Sequence, residues 1–277
     1  MKIAFQGIKG AYSELALKKY FGDNVESVGF ARFDEVFEAV ENSIVDCGFI
    51  PAENTIAGTI VENYDLLFEK DLHVTEEAFM RICHTLLAQR DVQLKDINEV
   101  YSHPHALNQC KKFLKKHNIL ATPFYDTAGA ALMVSNKKSH DRGAIASKIC
   151  AKIYDLKVLK EDIQTNTTNT TRFFVIRRKN KEKKNSKYSF YEKTSLAFKT
   201  KHKPGALVDC LKIFQDYSLN LSKLESRPVP ENPWEYIFYA AIEHVDRSAH
   251  VLPALEELKE QALIVKVLGS YKKGKIV

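Results

Sequence analysis

Apolar and polar residues along this chain follow two alternating periods. Short apolar runs bounded by turn or polar residues predict strands over Lys2–Phe5, Asp46–Ile50, Gly143–Ala146 and Phe173–Ile176. Between them the spacing lengthens to that of helices. Glu14–Tyr20 and Asp34–Asn42 are such segments, the second with Val36, Phe37 and Val40 on one face. Thr59 and Glu62 are spaced as a capping box ahead of the helical positions Ile60, Tyr64, Leu67 and Phe68. His73–Val74 starts a crossing strand, and Ala78–Ala88 reads as a longer one. Pro104 suits the first turn of a helix, with Ser102 or His103 as its cap and Leu107, Cys110, Phe113 and Leu114 as its buried stripe. After Pro123, Tyr125-Asp126-Thr127-Ala128-Gly129-Ala130-Ala131 opens another capped helix, and Ser147–Tyr154 is a further one. Alternating strands and helices predict an α/β fold with a mostly parallel sheet.

The alternation stops between Lys179 and Lys193 and resumes in a different order. The predicted elements are a strand Ser195–Thr200, a helix Pro204–Tyr217 with Pro204 in its first turn, and strands Asn220–Pro228 and Trp234–Glu243. A helix Ser248–Ala262 and a strand Ile264–Tyr271 complete βαββαβ, the ferredoxin-like order. At roughly 150 residues per domain, 277 residues suit two domains. The expected division is 1–178, a basic linker 179–193, and 194–277, the first part having one lobe of about 1–77 and 164–178 and another of about 78–163.

An apolar fraction of 45% and a charged fraction of 27% are those of a soluble globular protein. The net charge of +6 would suggest nucleic acid, but Arg177–Lys187 alone holds seven basic residues against one Glu, which leaves 34 of each sign elsewhere. A charge run between two patterned units is usually a solvated linker, so no nucleic-acid partner is expected. No stretch approaches the ~20 apolar residues that span a bilayer. Met1–Gly7 reads as a first strand rather than a secretory signal, so the expected location is the cytoplasm, away from membranes. The five cysteines (Cys47, Cys83, Cys110, Cys150, Cys210) form no Cys-x-x-Cys pair, which argues against a disulfide framework or a zinc ribbon. Four of them sit among apolar neighbours as small buried hydrophobes; Cys83 precedes His84 and is less easily assigned.

Candidate chemistry gathers at the mouths of strands. In Gln6–Ser13 a glycine-bearing turn leads from strand to helix and presents backbone N–H groups to an anion, with an ordinary turn capped by Ser13 as the plainer reading. Gly7 and Gly10 fall short of the three-glycine dinucleotide fingerprint, so no nucleotide cofactor is expected. Glu53, Asn54 and Thr55 follow a strand and precede a helix, where ligands sit in open α/β sheets. His103 and His105 do not share a helical face and have no third ligand nearby, so they suit a cap and a surface imidazole rather than a metal. Gln109 falls on the same side of that helix as Ser102 and Ala106. Asn166–Ile176 passes from hydroxyls and amides directly into an apolar strand, which would hold its polar residues still against a ligand.

Taken in order, these stretches resemble the prephenate dehydratase family over nearly the whole chain, as a catalytic domain followed by an ACT regulatory domain. The resemblance rests on Gly7–Ser13, Pro51–Thr59, Ser102–Ala106, Gln109-Cys110, Asp126–Ala131, Ala144–Ser147 and Thr170–Phe173. Gly205-Ala206-Leu207-Val208 and Glu225-Ser226-Arg227-Pro228 look like its two phenylalanine-binding motifs. The chain departs from the family at His105, usually Gln, at Thr55, usually Ser, and at Ile8-Lys9, which replaces the commoner proline-containing turn.

The resemblance implies a two-lobed catalytic domain similar to type-2 periplasmic binding proteins, plus a ferredoxin-like ACT domain. The implied reaction is loss of carbon dioxide and hydroxyl from prephenate to give phenylpyruvate, without a cofactor or metal. Arogenate, the amino analogue, and a non-enzymatic amino-acid sensor are the alternatives. By family resemblance Thr171 assists the leaving hydroxyl. Glu53, a carboxyl in these loops, is either a second acid or a loop anchor. Asn54, Thr55, Ser102, Gln109, Thr127 and Ser13 are expected to bind substrate; Arg172 either binds a carboxylate or makes a structural ion pair. Phenylalanine is expected between the ACT domains of a homodimer, with a tetramer as a further option. Asn220, Leu221, Gly205–Val208 and Glu225–Arg227 would hold it.

Overall fold

A computed structural model of the chain describes residues 1–179, 191–229, 235–245 and 248–277. Most of the expected linker, and Trp234 at the expected start of a strand, lie outside the described residues. A first sheet begins with β1 (Lys2–Gln6), α1 (Tyr12–Phe21), β2 (Glu26–Phe30), α2 (Phe33–Glu41) and β3 (Cys47–Asn54). The two-residue β4 (Gly58–Thr59), α3 (Val61–Glu69) and β5 (Leu72–Arg81) follow. A second sheet holds β6 (Thr85–Ala88), β7 (Glu99–Ser102), β8 (Leu120–Pro123), β9 (Arg142–Ala146) and β10 (Lys157–Lys160). Its helices are α4 (Pro104–Gln109), α5 (Lys111–Lys116), α6 (Thr127–Lys137) and α7 (Ile149–Ile153). β11 (Thr170–Arg178) then returns to the first sheet, between β3 and β5.

Neither sheet is mostly parallel, as the alternation had suggested. β1 is parallel to β2 and β3, but β11 is antiparallel to both β3 and β5. In the second sheet β6 is antiparallel to β10 and β9, and β7 is parallel to β9 and β8. β11 comes back from the second sheet without a helical crossover, and a strand entering that way pairs antiparallel. The run Ala78–Ala88 is not one strand: it breaks at Ile82–His84, where the chain passes between sheets, so the first sheet keeps β5 as far as Arg81. β3 in turn runs past Ile50 to Asn54. β1 pairs with it only to Gly48, and the β11 register slips between Glu53 and Pro51. Pro51 therefore sits at an irregularity, where its missing N–H interrupts no regular ladder.

The C-terminal unit comprises β12 (Lys193–Lys199), α8 (Ala206–Asp216), β13 (Asn220–Pro228), β14 (Tyr236–Glu243), α9 (Ser248–Gln261) and β15 (Ile264–Tyr271). Its four strands form an antiparallel sheet in the order β13-β14-β12-β15. Pro204 lies ahead of its helix rather than inside it: Gly205, at φ 82°, is the N-cap. That left-handed backbone suits glycine, which has no Cβ to clash. One face of this sheet packs Leu196, Phe198, Phe238 and Ile242 under the helices. The other face places Ala197, Tyr239, Leu268 and Tyr271 in one core with Tyr64, Val74 and Phe174 of the first lobe. Burying each large side chain of this kind stabilises by about 1.5–3 kcal/mol, so the two units are joined by a true hydrophobic interface. The chain ends in β16 (Lys275–Ile276), a short strand parallel to β5 that no pattern in the sequence had suggested. Among the described residues no helix is long and apolar enough to cross a membrane.

Candidate active site

Between the two sheets lies a cleft of about 270 Å³, lined from both sides. Strand alternation decides which residues reach it. On β11, Thr171 and Phe173 line the cleft, while Arg172 turns to the reverse face. Asn54, opposite Thr171 in the β3–β11 register, also lines it.

The hydrogen bonds of Asn54 fix the polarity of everything around it. Its Oδ1 accepts the backbone N–H groups of Ile56 and Ala57, each at 2.9 Å. Backbone donors cannot reverse, so the Asn54 amide nitrogen must face the other way. It donates to Asn169 Oδ1 at 2.8 Å and to Thr171 Oγ1 at 2.9 Å. Asn169 therefore donates through Nδ2 to Gln109 Oε1 at 2.7 Å, leaving that same oxygen to accept from His84 Nε2 at 2.7 Å. His84 is thus the Nε2-protonated tautomer. Burial holds its pKa below the ordinary imidazole range, against the opposing pull of Gln109. Its Nδ1 lies 2.8 Å from the Tyr12 hydroxyl, which is also 2.8 Å from the Cys83 carbonyl. The chain of bonds ends at Thr171, whose oxygen is already an acceptor. Its hydrogen has no acceptor among the described residues and is free to point into the cleft.

Among the described residues, no lysine or arginine lines this cleft. The N-termini of α1 and α6 turn their positive ends toward it, with the first-turn residues Tyr12, Ser13 and Thr127 in its wall, and the Asp126 carboxyl lines it as well. The turn before α1 is held by the buried Glu14, which accepts the Gly10 N–H at 2.6 Å and the Ser27 hydroxyl at 2.8 Å. Burial alone would raise the Glu14 carboxyl, but Gly10, Lys18 and Ser27 together bring it below the usual range. Asp126 caps α6 through the Gly129 N–H, and burial raises its carboxyl against that bond. At Gly129 an added Cβ would lie 2.3 Å from the hydroxyl of the exposed Tyr125.

Of the residues expected to act here, Ser13, Asn54, Gln109, Thr127 and Thr171 line the cleft. Four others do not. Ser102 is fully buried and donates to the Ile145 carbonyl at 2.6 Å, tying β7 to β9. Thr55 is exposed and tethers its loop by accepting the Thr170 N–H at 3.0 Å. Glu53 and Arg172 lie on the reverse face, 3.7 Å apart. There Arg172 donates to Glu77 at 2.7 Å and to the Tyr271 hydroxyl at 2.9 Å, so the ion-pair reading of this residue is the one seen. Two expected caps are also absent. Ala11 rather than Ser13 precedes α1, and Ile60 precedes α3, while the Thr59 hydroxyl donates to Glu225. His103 does cap α4, and both it and His105 line the cleft mouth.

Tyr12, His84 and Asn169 had not been singled out. Asn169 stood within the polar run that was, and its position two residues before Thr171 was the available signal. Tyr12 stood within the Gly7–Ser13 stretch, whereas His84 carried no such signal, because the two meet only when the two sheets face each other.

In the C-terminal unit, Gly205–Val208 line a second cavity of about 430 Å³ with Thr200–Pro204. The β13 residues lie elsewhere. Asn220 and Ser226 are exposed and Leu221 is half-buried, whereas Glu225 and Arg227 turn toward the first lobe, onto Thr59 and Asp65. Within one chain, the two motifs do not share that cavity.

Residues 3–181 match the family model described as prephenate dehydratase. The chain belongs to the prephenate dehydratase family. An Arabidopsis thaliana protein named arogenate dehydratase/prephenate dehydratase 2, chloroplastic, is 38% identical, over 98% of this chain and 72% of its own length. The prephenate dehydratase of Arthrobacter aurescens, solved in complex with L-Phe, superposes with a TM-score of 0.87 at 26% identity over 99% of this chain and 90% of that one. GqqA, described as a novel type of quorum quenching acylase, superposes with a TM-score of 0.88 at 28% identity over 98% of this chain and 97% of its own. More than one activity is thus named on this fold, so the fold alone does not fix the reaction.

Proposed function

We propose that the cleft converts prephenate to phenylpyruvate. The observation that carries this reading is the Thr171 hydroxyl, set by Asn54 to accept on one side and to donate into the cleft. In the reaction the bond from ring carbon to carboxylate breaks and carbon dioxide leaves. That electron pair moves into the ring, the carbon–oxygen bond across the ring breaks, and the ring becomes aromatic. Charge grows on the departing oxygen, and a fixed hydroxyl donor there stabilises the transition state more than the ground state. A threonine hydroxyl is too weak an acid to hand over its proton early, so its contribution is a hydrogen bond that strengthens as the oxygen leaves. The substrate's two carboxylates suit a cleft whose positive potential comes from helix N-termini and amide donors.

On this reading residues 1–178 are a catalytic domain whose two lobes resemble type-2 periplasmic binding proteins. The C-terminal unit is a ferredoxin-like ACT domain that binds phenylalanine and lowers turnover. The separation of Gly205–Val208 from Ser226 within one chain supports a homodimer in which a second copy completes the effector site.

The test is product formation by the purified full chain, with prephenate and arogenate supplied separately. The expected result is phenylpyruvate from prephenate at a kcat/KM above that for arogenate. The reverse order would assign the amino analogue as substrate. No product from either would refute the reading.

A further inference from the structure

β13 has two working faces. Its alternate residues Lys223, Glu225 and Arg227 all turn toward the catalytic lobe, the spacing a strand imposes on one face. Ser226, between them, is exposed on the other side with the motif proposed to hold phenylalanine. Lys223 is the innermost of the three, its side chain 5% exposed although it is a lysine. Burying an ammonium is costly unless it is paired, and this one has three oxygens to meet. Its Nζ donates to the Thr59 hydroxyl and lies 3.7 Å from both Glu53 and Glu225.

The partners of Lys223 lie directly behind the cleft. Glu53 is on β3 and Thr59 on β4, opposite each other across a short hairpin. The tip of that hairpin carries Ile56 and Ala57, whose N–H groups orient Asn54 and through it the Thr171 hydroxyl. Lys223 therefore grips both arms of the hairpin that aims the donor. A shift of about 1 Å in such a donor is enough to cost of the order of a hundredfold in rate.

We infer that Lys223 is the positioning residue through which the C-terminal unit controls the active site. Movement of β13 on occupation of its outer face is passed to the Glu53/Thr59 hairpin, and from there to Asn54 and Thr171. This rests on the reading of phenylalanine as effector. An effector acts only by binding two arrangements differently, and the grip of Lys223 is the contact that would differ between them.

The experiment uses the full chain and two variants, Lys223→Met and Thr59→Val, which break the same contact from opposite sides. Turnover of prephenate is measured across a range of L-phenylalanine concentrations, and binding of L-phenylalanine is measured separately by calorimetry. In both variants the Kd for phenylalanine should stay within about threefold, and each variant's inhibited rate is read against its own kcat without effector. The ratio of uninhibited to fully inhibited rate should fall at least tenfold from that of the parent, or to unity if the parent's is smaller. Lys223→Arg should keep most of the parent's response. Should Lys223→Met not fold, Thr59→Val decides alone. Variants that bind phenylalanine and are inhibited as fully as the parent would overturn the inference. Loss of phenylalanine binding in either would overturn it too, by making the contact part of the effector site. A parent that neither binds nor responds to phenylalanine would sink the effector reading, and this inference with it.

Discussion

Replacing Thr171 by valine is expected to lower kcat for prephenate by about 10²–10³, with KM changed by no more than a few-fold. Valine keeps the shape of the side chain and its place in β11, so the loss reports the hydroxyl alone. The pattern of the loss matters as much as its size. An interaction made mainly with the departing oxygen in the transition state lowers kcat and kcat/KM together. Thr171→Ser, which retains the hydroxyl but frees its rotation, should fall between the parent and valine. Steady-state rates of phenylpyruvate formation measure all three. A valine variant within a few-fold of the parent would remove Thr171 from the chemistry.

Arg172→Met should produce the largest loss of stability, on the order of 3 kcal/mol. The Arg172 guanidinium is 7% exposed and pairs at 2.6 Å with Glu77, which is 1% exposed. Removing one partner of a buried pair costs about 3–5 kcal/mol, because the other charge is left without compensation. Lys193, 3.7 Å from Glu77, softens the loss and places it at the low end. For a chain of this size, each kcal/mol lowers Tm by roughly 2–4 °C, so thermal unfolding should show a drop of about 6–12 °C. If Arg172 instead held a substrate carboxylate, Tm would stay put and KM would rise tenfold or more.

These two neighbours show what the sequence could and could not say. Asn220–Pro228 and Ile264–Tyr271 were legible to the residue, because a strand in an antiparallel sheet writes its boundaries in turn residues and its burial in side-chain type. The polar strand mouths were legible as well, and Thr171, Asn54 and Gln109 do meet at the cleft. Period two along β11 by itself implies that Thr171 and Arg172 face opposite ways. The same holds for Glu53 and Asn54 on β3. What lay behind that sheet was not legible. The C-terminal sheet packs there, and its Lys223 and Tyr271 take up Glu53 and Arg172 across long stretches of intervening chain. Caps misled at Ser13 and Thr59 for a related reason: Ser13 was drawn into the cleft wall and Thr59 into the contact between units, so neither serves its own helix. His84 was hidden because its role exists only where strands of two sheets part.

On the proposed function, Asn54 works by aiming the hydroxyl of Thr171. Asn54→Asp tests it with one atom changed. The carboxylate still accepts the Ile56 and Ala57 N–H groups, but its second oxygen accepts where the amide donated, so the Thr171 proton turns to it and away from the cleft. The measurement is kcat for Asn54→Asp, for Thr171→Val and for both together. Residues acting as a unit give non-additive losses, so the double variant should be no slower than the slower single within about threefold. Losses that multiply in the double variant would mean that the two side chains act independently, and would contradict the aiming of Thr171 by Asn54.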